Sequence, residues 1–474
     1  MNTYFNWFKK LINVFIEIIL FFAVVSTLYV FTSVFNGITK TLILAALIVV
    51  YGLVVYFLKD KVKQLLNKLI SKLSNMNTKT MLLVLSITMI VLKIVYTIFC
   101  NYDATLDGDI GIYANIADQI VETGSLLSGT ISHLLGMGLH LAMFKLFKLP
   151  IHIGMFIVFF VGTIINFISF KNIIGKEKAF IAVMLYILMP SSILLTFCPT
   201  HEIFLYMYLS ISIFVINKLI TETNNIYQII ELVFLVINSV LACFVNPSGY
   251  IALIIMGLII VLSKLTINKK ILIIISLVLS ILASSLVGNI TGGDSFETEF
   301  NTYAILIHGS NPQSLGEQVD SYPVQSAAKY LDSIGLHETH DNVLMAEKVV
   351  LMNHYKYLIC HPLTLAQLVI HKFYILWSGN HYSIEMAHNF GALGDIVFYI
   401  LLCISTLLYL FVLTVGLVFS SKKDDDISIS NYKLAVLGCF GITMLSVVLN
   451  KYSLYVTLFI YLISFYKIDI DENK

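Results

Sequence analysis

Long apolar runs recur through most of this sequence, and they restrict the chain to one class of fold. Many of the runs are roughly 18 to 22 residues long, and a helix needs about 20 apolar residues to cross a bilayer. Only 12% of the residues are charged, whereas ordinary soluble domains contain about 25%. The sequence therefore predicts an all-α polytopic membrane protein.

The lysines set the expected topology. They concentrate between residues 59 and 79, in a turn at 171–178 and in another at 264–270. Because short loops rich in Lys remain in the cytoplasm, we expect these segments inside and the Lys-free segment 101–123 outside. The expected 12 spans lie near residues 12–34, 41–58, 80–100, 150–170, 179–197, 203–220, 228–245, 249–264, 271–289, 394–418, 434–450 and 453–467. A thirteenth span results if residues 131–148 also cross.

Four regions follow from this pattern. Residues 1–79 form an opening hairpin and a cytoplasmic Lys-rich loop, and residues 80–290 form a transmembrane core whose first outer loop is 101–130. Residues 291–392 are an acidic outer segment with a small helical region, and residues 393–474 add closing helices and a cytoplasmic tail. Two stretches, 110–122 and 363–377, are expected to be amphipathic helices at the interface, with Trp377 at the level of the lipid headgroups.

Composition excludes some partners and limits how others are bound. The net charge of +1 gives no basic field for nucleic acid. All 29 basic residues are Lys, so the bidentate grip that Arg offers a phosphate is missing. Lys, His, Tyr, backbone amides or a metal must hold any phosphate. The abundance of Ile, Asn and Lys suggests a bacterial source, hence a bacterial plasma membrane.

An acidic stretch follows the third expected span. Asp103, Asp107 and Asp109 fall within seven positions, and carboxylates beside lipid are costly unless they are solvated, paired or used. Asp107-Gly108-Asp109 also has the spacing of a metal-binding acidic pair. Two interpretations remain open: a catalytic loop, or a solvated acidic loop in which Asp109 caps the following helix.

The residues from Asp109 onward, DIGIYANIADQI, resemble one family. They are similar to the D-E-x-x-Y-x-x-x-A pattern of the protein mannosyltransferase and aminoarabinose transferase branch of the GT-C glycosyltransferases. Asp109, Tyr113 and Ala117 match. Ile110 departs from the second acid of the pattern, which Asp107 supplies in this interpretation.

Weaker similarities extend along residues 80–467. The segment CPTHE carries Glu202 where the family has an outer-face acid, and FVNPSGY places Asn246 where Arg is usual. The segment LAQLVIHKFYILW contains a Lys372–Phe373 pair near Trp377. The resemblance implies a GT-C-like fold in which Tyr113 and Asn246 contact the substrate.

The resemblance also implies an activity. A sugar would pass from a polyprenyl-phosphate-linked donor to a wall polymer, glycolipid or protein on the outer face, by inverting displacement. Asp109 would be the general base, with Asp107 as its partner and Glu202 as a further site acid. A divalent cation, Mg or Mn, is compatible with Asp107 and Asp109 as ligands, and no other cofactor is expected.

The departing phosphate needs donors or a cation. His308, His371 and Lys372 are the candidates for that contact. The ordinary alternatives remain beside them: a solvated loop acid for Asp107, an interface acid for Glu202, and a side chain that reaches the headgroups for Lys372.

Three other functions compete with sugar transfer. A flippase or transporter of a lipid-linked sugar is expected to have discontinuous helices and a site near the bilayer midplane. Polysaccharide polymerases of the O-antigen type typically use Arg residues in their outer loops, and this chain contains no Arg. A non-enzymatic scaffold would not need the Asp109 motif. The polar residues gather at the outer rim, which favours the transferase.

Overall fold

The protein is all-helical wherever its structure is described. The computed structural model describes residues 2–30, 37–99, 108–124, 132–245, 266–290, 295–317, 322–379, 381–389, 393–419, 427–445 and 453–466, with a few positions between them. Within these ranges seven helices are long and apolar enough to cross a membrane, and there are up to nine spans if each of two bent pairs is one. The predicted all-α multi-pass membrane protein is thus confirmed. The total of 12 to 13 spans and the GT-C-like arrangement stay predictions.

The first 290 residues supply eleven helices in the described ranges and a short 3-10 turn. Their bounds are α1 Asn2–Val30, α2 Gly37–Leu73, α3 Thr78–Phe99, α4 Gly108–Thr123, α5 Ser132–Leu146, α6 Ile151–Ile174, α7 Lys176–Leu188, α8 Pro190–Leu194, the 3-10 turn Leu195–Phe197, α9 His201–Thr221, α10 Asn225–Val245 and α11 Ile267–Ile290.

Lysine contacts gather several helix ends at one side of the bundle, here called the lysine end. Lys176 Nζ donates to the carbonyl oxygens of Ser74, at 2.9 Å, and Met76, at 2.7 Å. Lys269 Nζ donates to the carbonyl oxygen of Glu222 at 3.2 Å. The α6–α7 turn therefore lies beside the α2–α3 turn. Because α3 starts at this end and α6 ends at it, the segment that contains α4 and α5 begins and ends at the opposite end, here called the far end.

The segment 59–79, expected as a loop, is largely helical. The helix α2 continues to Leu73, and Leu66 and Ile70, four residues apart, are buried. Apolar residues at that spacing form one face of a helix, and here this face packs on the hydrophobic core. Lys68 and Lys72 lie on the exposed side of the same helix. Their charges are why the sequence alone predicts a loop here.

The remaining described residues form eight helices. Their bounds are α12 Ser295–Ser310, α13 Tyr322–Ile334, α14 His340–Cys360, α15 Pro362–Trp377, α16 Tyr382–Asn389, α17 Asp395–Val418, α18 Ile427–Leu445 and α19 Leu454–Tyr466.

The hydrophilic segment after α11 folds into a small helical unit. Ile307 of α12 packs with Val350 and Leu351 of α14, and Ala327 and Leu331 of α13 pack with Ala346 of α14. We call α12, α13 and α14 the cap. The helices that the periodicity predicts in this segment are thus present, and their apolar faces pack against one another.

The expected span 179–197 is interrupted. The axes of α7 and of the α8 segment, Pro190–Phe197, meet at 67°. Pro190 is the cause, because proline has no N–H for the carbonyl four residues earlier and its ring crowds that carbonyl. The backbone N–H of Met189 closes α7 onto Leu185 and Tyr186. All residues of α8 are buried in protein.

The expectation that 363–377 lies at the interface is wrong for its second half. Lys372, Phe373, Leu376 and Trp377 are buried, and Trp377 is inside the bundle rather than among headgroups. The preceding helix α14 meets α15 at 107°. The apolar face of α15 finds core partners on α1, where Phe22 and Phe373 lie with ring centroids 5.2 Å apart.

The helices α15 and α16 dip into the bundle and return. At the start of α17, His388 Nε2 lies 3.0 Å from Oδ1 of Asp395, the first residue of that helix. Deeper, Ser383 Oγ donates to the carbonyl oxygen of Ser191 at 2.6 Å, and the Ser191 N–H donates to Ser405 Oγ at 3.3 Å. Ser405 follows Asp395 by ten residues, or about 15 Å of helix. The α15–α16 turn therefore meets the break before α8 deep inside the bundle.

Candidate functional site

Asp109 is the second residue of α4, a helix of 16 residues at the far end. Its side chain lies outside the described part of the structure. The position itself is informative, because the first turn of a helix presents unpaired N–H groups and the positive end of the dipole. A carboxylate is favoured there both as a helix cap and as an ionised base.

The helix α4 is held by its neighbour α5. Tyr113 and Ala117, which carry the family-like pattern, are both buried. Lys145 of α5 forms an ion pair with Asp118 and donates to the carbonyl oxygen of Ala114 at 3.4 Å. The buried Tyr113 and Ala117 thus help to hold the helix that carries Asp109 in place.

In turn, α5 rests on the start of α9. His140 Nε2 lies 2.7 Å from Tyr208 Oη, and the rings of Phe144 and Phe204 stack with centroids 6.0 Å apart. Glu202 is the second residue of α9 and is fully buried, with His201 Nε2 3.3 Å from its Oε1. The structure therefore brings the helices that carry Asp109 and Glu202 to the same end of the bundle, with α5 between them.

Lys93 is a residue that the sequence interpretation did not place in the site. It lies in the last two turns of α3 and is buried. Its Nζ donates to Thr196 Oγ1 at 2.9 Å and lies 3.3 Å from the centroid of the Phe197 ring. A single Lys in an apolar span was the available signal, since intramembrane charges usually mark functional sites. The structure sets this ammonium against the 3-10 turn that leads to Glu202.

The three candidates for phosphate contact lie around loop 311–317 and the nearby Val319. His308, at the end of α12, accepts a hydrogen bond at Nδ1 from the Val319 N–H at 3.3 Å. His371 Nε2 lies 2.5 Å from Glu317 Oε1. The same loop closes onto Lys372 at Gly316. His308, His371 and Lys372, all predicted from the sequence, are thus close to one segment of the chain in space.

Lys372 has a structural task of its own. Its Nζ is buried and donates to the carbonyl oxygens of Thr443, at 3.0 Å, and Met444, at 2.8 Å. Both carbonyls belong to the last turn of α18, where such groups lack partners within the helix. The ammonium does not reach solvent, so a headgroup contact by this side chain does not fit the structure.

Two predicted site residues, Asp107 and Asn246, lie outside the described residues, as does the Asp109 carboxylate. Among the residues whose side chains are described, no group of three His, Cys, Asp or Glu side chains is arranged to hold a metal ion. The predicted metal pair, Asp107 and Asp109, is not covered by that search. A divalent cation therefore stays a prediction.

Comparisons with known proteins give no relative from which a function can be transferred. Protein-family models, curated proteins and solved structures were all compared with the chain, and none matches it. The function must therefore be argued from the residues and their geometry.

Proposed function

We propose that this protein is an integral membrane glycosyltransferase that uses a polyprenyl-phosphate-linked sugar. An acceptor hydroxyl oxygen attacks the anomeric carbon, and the bond from that carbon to the phosphate oxygen breaks. Asp109 takes the proton of the hydroxyl. The polyprenyl phosphate leaves with the bonding electron pair, so the product is inverted at the anomeric carbon.

The observation that carries the proposal is the placement of Asp109. It stands in the first turn of a short helix that is fixed at the end of the bundle opposite the lysine-rich turns. By the positive-inside rule, that far end is the outer face of a bacterial plasma membrane. Lipid-linked sugars and extracytoplasmic acceptors, whether glycan, lipid or protein, meet at such a face.

Several described side chains support the handling of a lipid phosphate without Arg. His371 is half-buried beside Glu317, and His308 at the end of α12 accepts a hydrogen bond from the nearby Val319 N–H. Lys93 supplies a buried ammonium beside the 3-10 turn that leads to Glu202. Lys372 is the weakest of these candidates, because its ammonium already closes the end of α18.

A second candidate function, transport of a lipid-linked sugar across the bilayer, has its own supporting observation. Discontinuous helices that meet inside the bundle are typical of transporters. Here the break between α7 and α8 meets the turn between α15 and α16. The polymerase alternative gains no comparable observation from the described residues.

One experiment separates the two candidates. The purified protein is reconstituted in vesicles with a panel of polyprenyl-phosphate sugars and with candidate acceptors. The transferase releases polyprenyl phosphate and forms a new glycosidic bond. A transporter moves the intact donor between leaflets and consumes none, and that result would remove the transferase proposal.

A further inference from the structure

Two interruptions of helix meet inside this bundle, and side chains connect them. Ser191 of α8 accepts from Ser383 of α16 through its carbonyl oxygen and donates through its N–H to Ser405 of α17. In a membrane protein, broken backbone at this depth is tolerated where protein buries it or where it lines a polar cavity. We call the meeting point the polar junction: Ser191, Trp377, His381, Ser383, Ser405 and Thr406.

Three side-chain atoms of the polar junction have no hydrogen-bond partner among the residues that the structure describes: Ser191 Oγ, Trp377 Nε1 and His381 Nδ1. Ser191 and Trp377 are fully buried, and His381 is 2% exposed. Buried polar atoms nearly always have a partner, and an unpaired one costs about 1 to 3 kcal/mol. Ser191 and His381 are connected through Ser383, Ser405 and Thr406. Trp377 precedes His381 by four residues. We take the unpaired atoms of these three residues as the mark of a missing occupant.

The unpaired atoms define what the occupant offers. His381 Nε2 lies 3.1 Å from the carbonyl oxygen of Ser378, so Nε2 carries the proton and Nδ1 is left as an acceptor. Trp377 Nε1–H can only donate, and Ser191 Oγ can do either. The occupant must therefore accept one hydrogen bond and donate another.

No charged side chain belongs to the polar junction. Its six members are serine, threonine, tryptophan and a histidine that keeps one nitrogen unprotonated. A neutral hydroxyl fits such a set, whereas a phosphate or a metal ion would be left without an opposite charge. Water and the hydroxyls of a sugar share this chemistry.

The polar junction is also continuous with the far end. The segment from Ser191 to Glu202 passes through Thr196, which binds Lys93, and α16 packs against the same 3-10 turn. A group bound at the polar junction thus lies beside the segment that connects Ser191 to Glu202 at the far end.

We propose that the polar junction binds hydroxyl groups of the sugar in a lipid-linked substrate. The proposal rests on the proposed function only in that the substrate is a lipid-linked sugar, which transfer and transport share. His381 Nδ1 accepts from a sugar hydroxyl, Trp377 Nε1 donates to one, and Ser191 Oγ can do either.

The test uses Trp377 as its own reporter. The chain has two tryptophans, and Trp7→Phe at the exposed start of α1 leaves Trp377 alone. Polyprenyl phosphate with a hexose and bare polyprenyl phosphate are titrated against the full-length protein in detergent. We expect the sugar-bearing lipid to change Trp377 emission and to bind about 10-fold more tightly than the bare lipid.

Variants of the junction sharpen the test. Ser191→Ala and His381→Leu should each reduce the preference for the sugar-bearing lipid about 2- to 10-fold. His381→Asn, whose amide oxygen falls near the position of Nδ1, should restore part of it. The matched control is Ser239→Ala in α10, which removes another buried hydroxyl without a partner and should change nothing.

The outcomes distinguish this inference from the proposed function. Equal binding of the two lipids by all these proteins would overturn the inference, since water alone then occupies the junction, while sugar transfer could still proceed. Sugar-dependent binding without turnover would support the inference and remove the transferase. If neither lipid binds, both fail.

Discussion

The hydroxyl of Ser383 donates a 2.6 Å hydrogen bond to the carbonyl oxygen of Ser191, a residue 192 positions earlier in the chain. The bond ties the returning helix α16 to the first turn after the Pro190 break. Both residues are buried. Two elements that each lack continuous helix are thus stabilised by each other.

Ser383→Ala should destabilise the protein by about 1 to 3 kcal/mol, because the buried carbonyl of Ser191 loses its partner. Thermal unfolding in detergent measures the effect. Ser464→Ala, which removes a buried hydroxyl that has no partner, is the control and should leave the midpoint nearly unchanged. Equal midpoints for the two variants would mean that the Ser383 bond contributes nothing.

Gly316→Ala should be more harmful than Gly335→Ala. Both glycines have positive φ, +88° and +67°, so alanine is strained at either position. At Gly316 a Cβ would also lie 2.4 Å from Lys372 Cε, whereas at Gly335 it would meet nothing within 4 Å. We expect about 1 kcal/mol of destabilisation at Gly335 and clearly more at Gly316. Unfolding midpoints that rank the other way would contradict the packing of loop 311–317 on α15.

Lys372→Met should lower stability by about 1.5 to 3 kcal/mol, since charged hydrogen bonds to two carbonyls of α18 are lost. Lys356→Met on the exposed side of α14 is the control. Donor affinity is measured alongside the unfolding midpoint. A variant with unchanged stability and weakened donor binding would assign Lys372 to the lipid phosphate instead.

The cap should lose stability as the pH rises. Glu347 is fully buried, neither carboxylate oxygen has a partner, and burial raises the pKa of this carboxyl from 4.5 to about 7. Because the pKa is raised in the folded state, the native cap binds the proton more tightly. Its contribution is complete below about pH 4.5 and is lost as the pH passes about 7.

The check on Glu347 is a pair of hydrogen-exchange measurements on the cap. Hydrogen exchange of α12 to α14 is followed at about pH 5.5 and about pH 8, a range that brackets the raised pKa. Glu347→Gln should remove most of the difference between the two, while Glu338→Gln, at an exposed position in the same region, should keep it. The same pH dependence in both variants would mean that another group is responsible.

Hydropathy was sufficient to predict the helical membrane fold, whereas the orientation that the charges indicate stays a prediction. The spans need about 20 apolar residues each, and that requirement is visible in composition alone. The lysine contacts of Lys176 and Lys269 then show that the basic turns gather at one end.

The interruptions inside the bundle were harder to predict. Pro190 sits in a run that is apolar enough to span, and hydropathy does not distinguish a straight helix from one bent by 67°. Trp377 resembled an interfacial tryptophan because it ends the short amphipathic helix α15. Long-range contacts of α15 with α1 and α18 bury the second half of that helix instead. Lys93 drew attention only as an exception in α3, since its partners Thr196 and Phe197 are more than 100 positions away.

The measurement that tests the central claim most directly is turnover of Asp109→Asn. With a saturating polyprenyl-phosphate sugar, loss of a general base should reduce turnover about 100-fold or more and leave donor affinity largely intact. Glu122→Gln, which also replaces a carboxylate by an amide on the same helix but at an exposed position, should retain nearly full activity. Equal turnover of wild type and Asp109→Asn would contradict the account and would make Asp109 a helix cap.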